Sequence, residues 1–359
     1  QDVIIAAGKS LTVTGGVTGT RPASPTEGMV YFDSTTKQLL TYSNGKWQAD
    51  RSTSTKIVAA SNSSQAAKDA ADYVATGTAD QGVINTALTA AAGGRVYLIE
   101  GTYTTTDVIS IPNNTTLEGA GTGTLIQFAN VNGLVRNMIT NTTTVTGTGI
   151  TIRNLRLDGN KSVNVSGVQH GVYMNGMGDA TTEGVTITNI TATNFHDRGI
   201  YLDATAYSIV TENATYNNSI GMFINGNRNT IVNNSVHDNS DGIWLNGALY
   251  GTISNNKVHN NTTRGIYLSG NSSDNNITNN VLRAIGGSTA NNAIYVSNSD
   301  NNNISNNSVS DTNCTSTCYA VNIFDSTSDT NYVAGNSLGG GTINDAGTGT
   351  VFGGQVNGS

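Results

Sequence analysis

The sequence predicts an all-β solenoid with a short coil, and three observations carry that prediction. Only 11% of the 359 residues are charged, 42 are glycine, and the 36% that are hydrophobic recur along the whole length, too regularly for a solvated coil. One series of segments repeats at a spacing near 22 residues: HGVYMNG from His170, RGIYLDA from Arg198, IGMFING from Ile220, DGIWLNG from Asp241, RGIYLSG from Arg264 and NAIYVSN from Asn292. A second series interleaves with it: NTIVNNSV at Asn229, GTISNNKV at Gly251, NNITNNVL at Asn275, NNISNNSV at Asn302 and, more loosely, NYVAGNSL at Asn331. Each unit therefore carries two short strands of alternating apolar residues. Neither buries its apolar face alone, but stacked units share a continuous axial core of Ile, Val and Leu. At about 4.8 Å per coil, roughly ten coils between Arg95 and Leu338 make a rod about 50 Å long.

The elements follow in chain order. Residues 1–20, beginning QDVIIAAGKSLTVTG, read as an apolar strand with no obvious partner in its own module, so it either pairs elsewhere in the chain or is donated to a neighbouring subunit. Residues 21–50 read as a small β-hairpin module, with Pro22 and Pro25 at its start, strand-like runs around Tyr31 and Leu40, and Asn44-Gly45 as the turn before Trp47. Residues 51–76 read as a linker, and 77–340 as the solenoid. Its entry, TADQGVINTALTAAAGG from Thr78, reads as a capping helix: Asp80 is placed as N-cap, Val83, Ile84, Ala87, Leu88 and Ala91 share one face, and Gly93-Gly94 stops the run. Val96, Leu98, Ile111, Leu117 and Ile126 are the core-facing candidates of the first coils. Residues 341–359 are a Gly-rich tail or cap.

The repeat register turns into columns of side chains. Outward residues of the first series are Tyr173, Tyr201, Phe223, Trp244, Tyr267 and Tyr295, an aromatic file at coil spacing that fits an internal ladder, a subunit interface or a glycan platform. In the second series Asn234, Asn256, Asn280, Asn307 and Asn336 fall at one corner, where side-chain amides can stack as a structural ladder. The column before the opening glycine contains Asp241 and Arg264, expected to form an ion pair between coils and secondarily to be catalytic candidates.

Catalytic chemistry is thin. A glycoside hydrolase needs two carboxyls at about 5.5 Å or 6.5 to 9.5 Å, and no column of the repeat supplies them. A lyase needs a base and a cation, and the column Thr193, Thr215, His237, His259, Arg283 offers two stacked histidines and an arginine, or merely solvated turn residues. Asp238, Asn239 and Asp241 compose a calcium-like cluster of the kind that Asn/Asp-rich loops produce by chance; no cofactor and no metal is otherwise expected. Cys314 and Cys318 stand in CTSTC, either closing one small loop in an oxidising compartment or remaining as two thiols. A formal charge of -7 without a basic run argues against nucleic acid, and no apolar run is long enough to span a bilayer.

A helix ending in Gly-Gly, then RVYLIEGTY, IPNNTTLEGAG and the repeated GIYL and ISNN units resembles the pectate-lyase-like right-handed parallel β-helix superfamily, in particular its branch with carbohydrate-binding-and-sugar-hydrolase type repeats, over residues 56 to 340. The resemblance implies a right-handed parallel β-helix. Residues 21–50 are similar to small β modules of phage tail fibres and bacterial surface proteins. Together they imply an extracellular, cell-surface or virion-tail protein that self-associates into a fibre, filament or trimer and contacts polysaccharide, with a polysaccharide lyase or glycoside hydrolase as the alternative.

Overall fold

The computed structural model describes residues 13, 15–43, 45–49, 54–91, 93–142, 147–179, 183–285, 291–310, 318–339 and 341–355. The chain divides into two compact units, Gln1–Thr55 and Lys56–Ser359.

In the first unit Val30–Asp33 pairs antiparallel with Gln38–Ser43, which pairs antiparallel with Lys46–Ala49. Tyr31 and Leu40 are buried on one face, and the Trp47 ring packs against Tyr31 and Tyr42 at 5.7 and 5.4 Å. Gly45 holds the hairpin turn at φ 78°, which only glycine adopts freely; Asn44 lies outside the described residues. Of the terminal strand, Gly15–Gly16 pairs in parallel with Phe32–Asp33 of its own module; residues 1–12 and 14 lie outside the described residues. Asp33, fully buried, accepts from Arg21 Nε at 2.9 Å and from Thr18 Oγ1.

The second unit is a parallel solenoid. One sheet of ten strands takes the GIYL segments, and one of twenty takes the remainder. Here the structure corrects the two-strand coil. The segment NTIVNNSVH folds as two three-residue strands, Thr230–Val232 and Ser235–His237, divided by Asn233 at φ 58°. The same division recurs at Asn255, Asn279 and Asn306, so each NN dipeptide has two tasks. Its first Asn takes the left-handed conformation that Asn tolerates best among side-chain-bearing residues, and its second enters the ladder. Each coil thus has three strands.

Register is strict. Ile200, Met222, Ile243, Ile266 and Ile294 stack in one inward column and Leu202, Ile224, Leu245, Leu268 and Val296 in the next, all buried. The opening glycine of the repeat has a steric cause: a Cβ on Gly242 would stand 2.4 Å from the Gly265 carbonyl oxygen of the following coil. Further along, the column carries Ala293 and Ala320, both buried.

Helix α2, Gln81–Ala91, buries Ile84, Ala87, Leu88 and Ala91 against the core, with Val83 packed beside them. Val96, Leu98, Ile111, Leu117 and Ile126 are all fully buried. Asp80 precedes the helix, and its carboxylate accepts from Thr76 N–H at 3.0 Å, Gly77 N–H at 2.8 Å and Thr104 N–H at 2.8 Å, tying the incoming turn to a strand. Residues 55–76 are no linker. Thr55–Ala59 is a strand of the solenoid with Val58 and Ala59 buried, followed by helix α1, Gln65–Ala70, and by Tyr73–Val74, which pairs back onto Val58–Ala59. The contiguous apolar residues of KIVAA lack the alternation that marks the later coils. At the other end Thr342–Asp345 pairs with the strand Cys318–Ile323, and Val351–Phe352 pairs with Tyr332–Val333, so part of the Gly-rich segment forms a further coil.

Candidate functional site

The aromatic file lies in register: Tyr173, Tyr201, Phe223, Trp244, Tyr267 and Tyr295 are successive partners across the ten-stranded sheet. Ring centroids are 4.9, 5.0, 5.2, 4.7 and 5.3 Å apart up the file, every contact tilted or edge-on. The next register partner is Asn322, but Phe324, two residues on, turns its ring onto Tyr295 at 5.2 Å and is 55% exposed. Column counting misses that seventh ring because it leaves the repeat register. At the lower end His170 stacks on Tyr173 at 6.1 Å and meets Tyr201 edge-on at 5.4 Å.

Two arginines lie on the file. Arg264 holds Asp241 in a two-pronged ion pair, Nε to Oδ1 at 2.7 Å and Nη2 to Oδ2 at 2.9 Å, while its guanidinium carbon sits 3.7 Å from the Tyr267 ring centre and 5.1 Å from that of Trp244. Arg198 repeats the pattern three coils lower, with Nη1 3.0 Å from Asp197 and its guanidinium 4.5 and 4.4 Å from Tyr201 and Phe223. Rings and guanidinium groups cover one another's faces, and the file is half-buried except for buried Phe223 and exposed Phe324. Trp244 completes its contacts by donating Nε1–H to Ser269 Oγ at 2.8 Å.

Below Arg198 is a compact polar group. Burial, with the Arg198 charge adding to it, pushes His170 down to about 3, so its imidazole is neutral. Its Nδ1 accepts from Arg198 N–H at 3.4 Å, which places the proton on Nε2. Tyr173 donates to Asp203 Oδ2 at 2.9 Å, and Asn175 and Asn225 donate to the same carboxylate. Burial first and Asp203 second push the Tyr173 hydroxyl up to about 12. Sequence reasoning passed over His170 and Asp203 because each stands alone in its column; only the coil-to-coil offset brings them to the same rings.

The histidine column forms, with one correction. His237, His259 and Arg283 are register partners, but their partner below is Tyr216, and Thr215 points into the core fully buried. The Tyr216, His237 and His259 rings stack nearly parallel at 5.0 and 4.7 Å. His237 Nδ1 is 2.7 Å from Asp238 Oδ2, and burial, then His237, hold His259 below the usual imidazole range. The calcium-like trio is dispersed: Asp238 turns to His237, Asp241 to Arg264, and Asn239 is buried in a ladder. Among the described residues no group of three or more His, Cys, Asp or Glu could hold a metal. Cys314 lies outside the described residues, as does the Cys318 side chain.

The asparagine ladder runs from Asn213 through Asn234, Asn256, Asn280 and Asn307 to Asn336, each amide donating to the next Oδ1 at 3.0 Å. Gln355 closes its upper end, accepting from Asn336. Two further ladders occupy the other corners, Asn218–Asn239–Asn261 and Asn275–Asn302–Asn331. A surface groove of about 400 Å³ opens beside the second of the three, lined by Lys161, Asn194, Asn217, Asp238, Ser240 and Thr262 among others.

Residues 170–338 match the family model described as the right handed beta helix region. The solenoid is a right-handed parallel β-helix. Solved structures of low sequence identity share this fold. The A-module of the mannuronan C-5 epimerase AlgE6 of Azotobacter vinelandii is 18% identical with a TM-score of 0.58, covering 77% of this chain and 97% of that one. An alginate lyase from Paenibacillus is 16% identical with a TM-score of 0.55, over 79% of this chain and 98% of that one. The Dettilon tailspike protein is 18% identical with a TM-score of 0.55, over 74% of this chain and 55% of that one. No curated protein matches the chain by sequence. Among the described residues no helix of this β-helix protein is long and apolar enough to cross a membrane.

Proposed function

We propose that this chain is an extracellular or virion-surface structural β-helix, a subunit of a fibre, filament or trimer that contacts polysaccharide along its side without a cofactor. The observation that carries the reading is the pairing of charge on the aromatic face: Asp241 binds Arg264 and Asp197 binds Arg198, while the rings cover one another. A face that neutralises its own ions stiffens a rod and leaves few groups free to move protons. His237 is stacked on both faces, by Tyr216 and His259, which suits a solvated ladder better than a base and cation acting on one sugar. The tailspike similarity supports a surface appendage by analogy of fold.

Electron microscopy of purified protein tests the assembly: filaments or trimeric fibres are expected, and a strictly monomeric rod at high concentration overturns it. Assays of uronate and neutral polysaccharides for unsaturated or reducing ends test the absence of turnover.

A second reading, a polysaccharide lyase or related uronate-processing enzyme, is favoured by the group of neutral His170, Tyr173 and Arg198, which gathers a base, a phenol and a cation. It draws by analogy on the epimerase and lyase similarities. Turnover abolished in Tyr173→Phe and His170→Asn but kept in His237→Ala and His259→Ala would establish it.

A further inference from the structure

A second aromatic and cationic group lies away from the main file, on the corner between the GIYL strand and the following short strand. Tyr207, Arg228 and Tyr250 occupy one position on three successive coils, each with positive φ, 52°, 56° and 59°. The same position in later coils is Asp274, Asn301 and Thr330, and the other two corners use mainly Asn and Asp. A left-handed backbone disfavours bulky side chains, so two tyrosines and an arginine here are strained where Asn would not be. The corner is held nonetheless by coil-to-coil bonds, Tyr207 N–H to Asn227 O at 3.2 Å, Arg228 N–H to Leu249 O at 2.7 Å and Tyr250 N–H to Ser273 O at 3.3 Å.

The strained residues meet outside the core. The Arg228 guanidinium lies between the rings, 4.8 Å from Tyr250 and 5.7 Å from Tyr207. Tyr250 is 51% exposed, Tyr207 36% and the adjacent Ile209 43%. Arg198 and Arg264 each hold an aspartate, but among the described residues Arg228 has no carboxylate partner. Thr230 and Thr252 stand outward two residues on from Arg228 and Tyr250, each half-buried. The coil spacing of about 4.8 Å brings successive side chains close to the repeat of a 1,4-linked pyranose.

We propose that Tyr207, Arg228 and Tyr250 bind an acidic oligosaccharide running along the solenoid axis, with a sugar carboxylate on the Arg228 fork and pyranose C–H faces against the tyrosine rings. A free guanidinium suits a carboxylate in two-pronged geometry, and the flanking rings present apolar surface to the sugar. The net charge of -7 gives no general attraction for a polyanion, so affinity rests on this local cation. The site deepens the glycan-contact reading above and rests on it.

The test is calorimetric titration of the whole protein with a matched pair of ligands, a β-1,4-glucuronate tetrasaccharide and cellotetraose, which differ at C6. Wild type is expected to prefer the uronate at least tenfold, with affinity falling as salt rises. Arg228→Ala and Tyr250→Asn are each expected to weaken uronate binding at least tenfold. Tyr250→Asn and Tyr207→Asn are also expected to keep or raise the thermal midpoint, because Asn relieves the left-handed strain. A loss of binding by a chain that folds as well or better marks a ligand site; a purely structural sandwich predicts the reverse. Undiminished uronate binding in both variants overturns the site while leaving glycan contact intact. Equal affinity for cellotetraose overturns the acidic ligand class, and no binding of either sugar by wild type overturns the site together with the glycan part of the proposed function.

Discussion

Replacing Asn280 by alanine tests how the solenoid is held between coils. Asn280 is fully buried and central in its ladder. Its Oδ1 accepts both the backbone N–H and the side-chain amide of Asn256 at 3.0 Å, while its Nδ2 donates to Ile253 O at 2.9 Å and to Asn307 Oδ1 at 3.0 Å. Asn307 Oδ1 keeps the Asn280 backbone N–H after the substitution. The groups stranded are the Asn256 N–H and one amide hydrogen of Asn256, since the parallel register of Ile253 with Ile277 leaves the Ile253 carbonyl a backbone partner in the next coil. A buried polar group without a partner costs about 1–3 kcal/mol, so two of them give a loss of about 3 kcal/mol. The paired control is Asn279→Ala, one residue earlier, exposed and left-handed at φ 58°, where the cost is the conformational preference alone, about 1 kcal/mol. Asn280→Asp sharpens the comparison: a carboxylate cannot donate to Ile253 O or Asn307 Oδ1, so that variant should regain stability as falling pH protonates it. Urea unfolding followed by circular dichroism reads all three. If Asn280→Ala costs no more than Asn279→Ala, the ladder does not bind the coils.

Two further perturbations address the aromatic face. The neutral, buried His170 has its pKa lowered to about 3, whereas in the unfolded chain it takes up a proton near 6.5; its contribution is complete above that value and is lost as pH falls from 6.5 toward 3, at up to about 1.4 kcal/mol per unit, or about 2 kcal/mol at pH 5. Wild type should therefore lose that much more than His170→Asn between pH 7 and pH 5 in urea unfolding, and parallel pH profiles would show that the imidazole is not held neutral. A double-mutant cycle on Asp241→Asn and Arg264→Met should give a coupling of about 2 kcal/mol, because each ion is largely buried against the other; a coupling under about 0.5 kcal/mol would mark the pair as solvent-screened.

What the sequence made legible follows from period. Strands of a parallel solenoid stack like on like, so a residue counted from the opening glycine keeps its column through every coil, and the aromatic file, the first Asn ladder and the Asp241–Arg264 pair all follow from counting. Departures arose where the count was interrupted. Thr215 falls beside His237 only if the count in that coil starts at Ile209, which is 43% exposed; counted from buried Val210, the register partner of Ile231, Asn213 is the ladder residue and Tyr216 joins the histidines. The strand Thr55–Ala59 was read as linker because its apolar residues are contiguous, without a repeat to align them. His170 and Asp203 could not be placed together by column at all, since their meeting depends on rings one coil apart.

The corners extend the same argument. The doubled Asn of the second series looks redundant in sequence, yet one member bends the chain and the other joins coils, so replacing the first should change local conformation and replacing the second should change axial cohesion. A position that needs a left-handed residue but carries tyrosine or arginine then departs from the Asn and Asp that most corners use, and departures from local consistency gather where function opposes stability. By that criterion the corner at Tyr207, Arg228 and Tyr250 stands out more than the longer aromatic file. The rings of the file relieve one another's exposure and the arginines on it are neutralised, whereas at the corner both backbone strain and an unpaired cation persist in solvent.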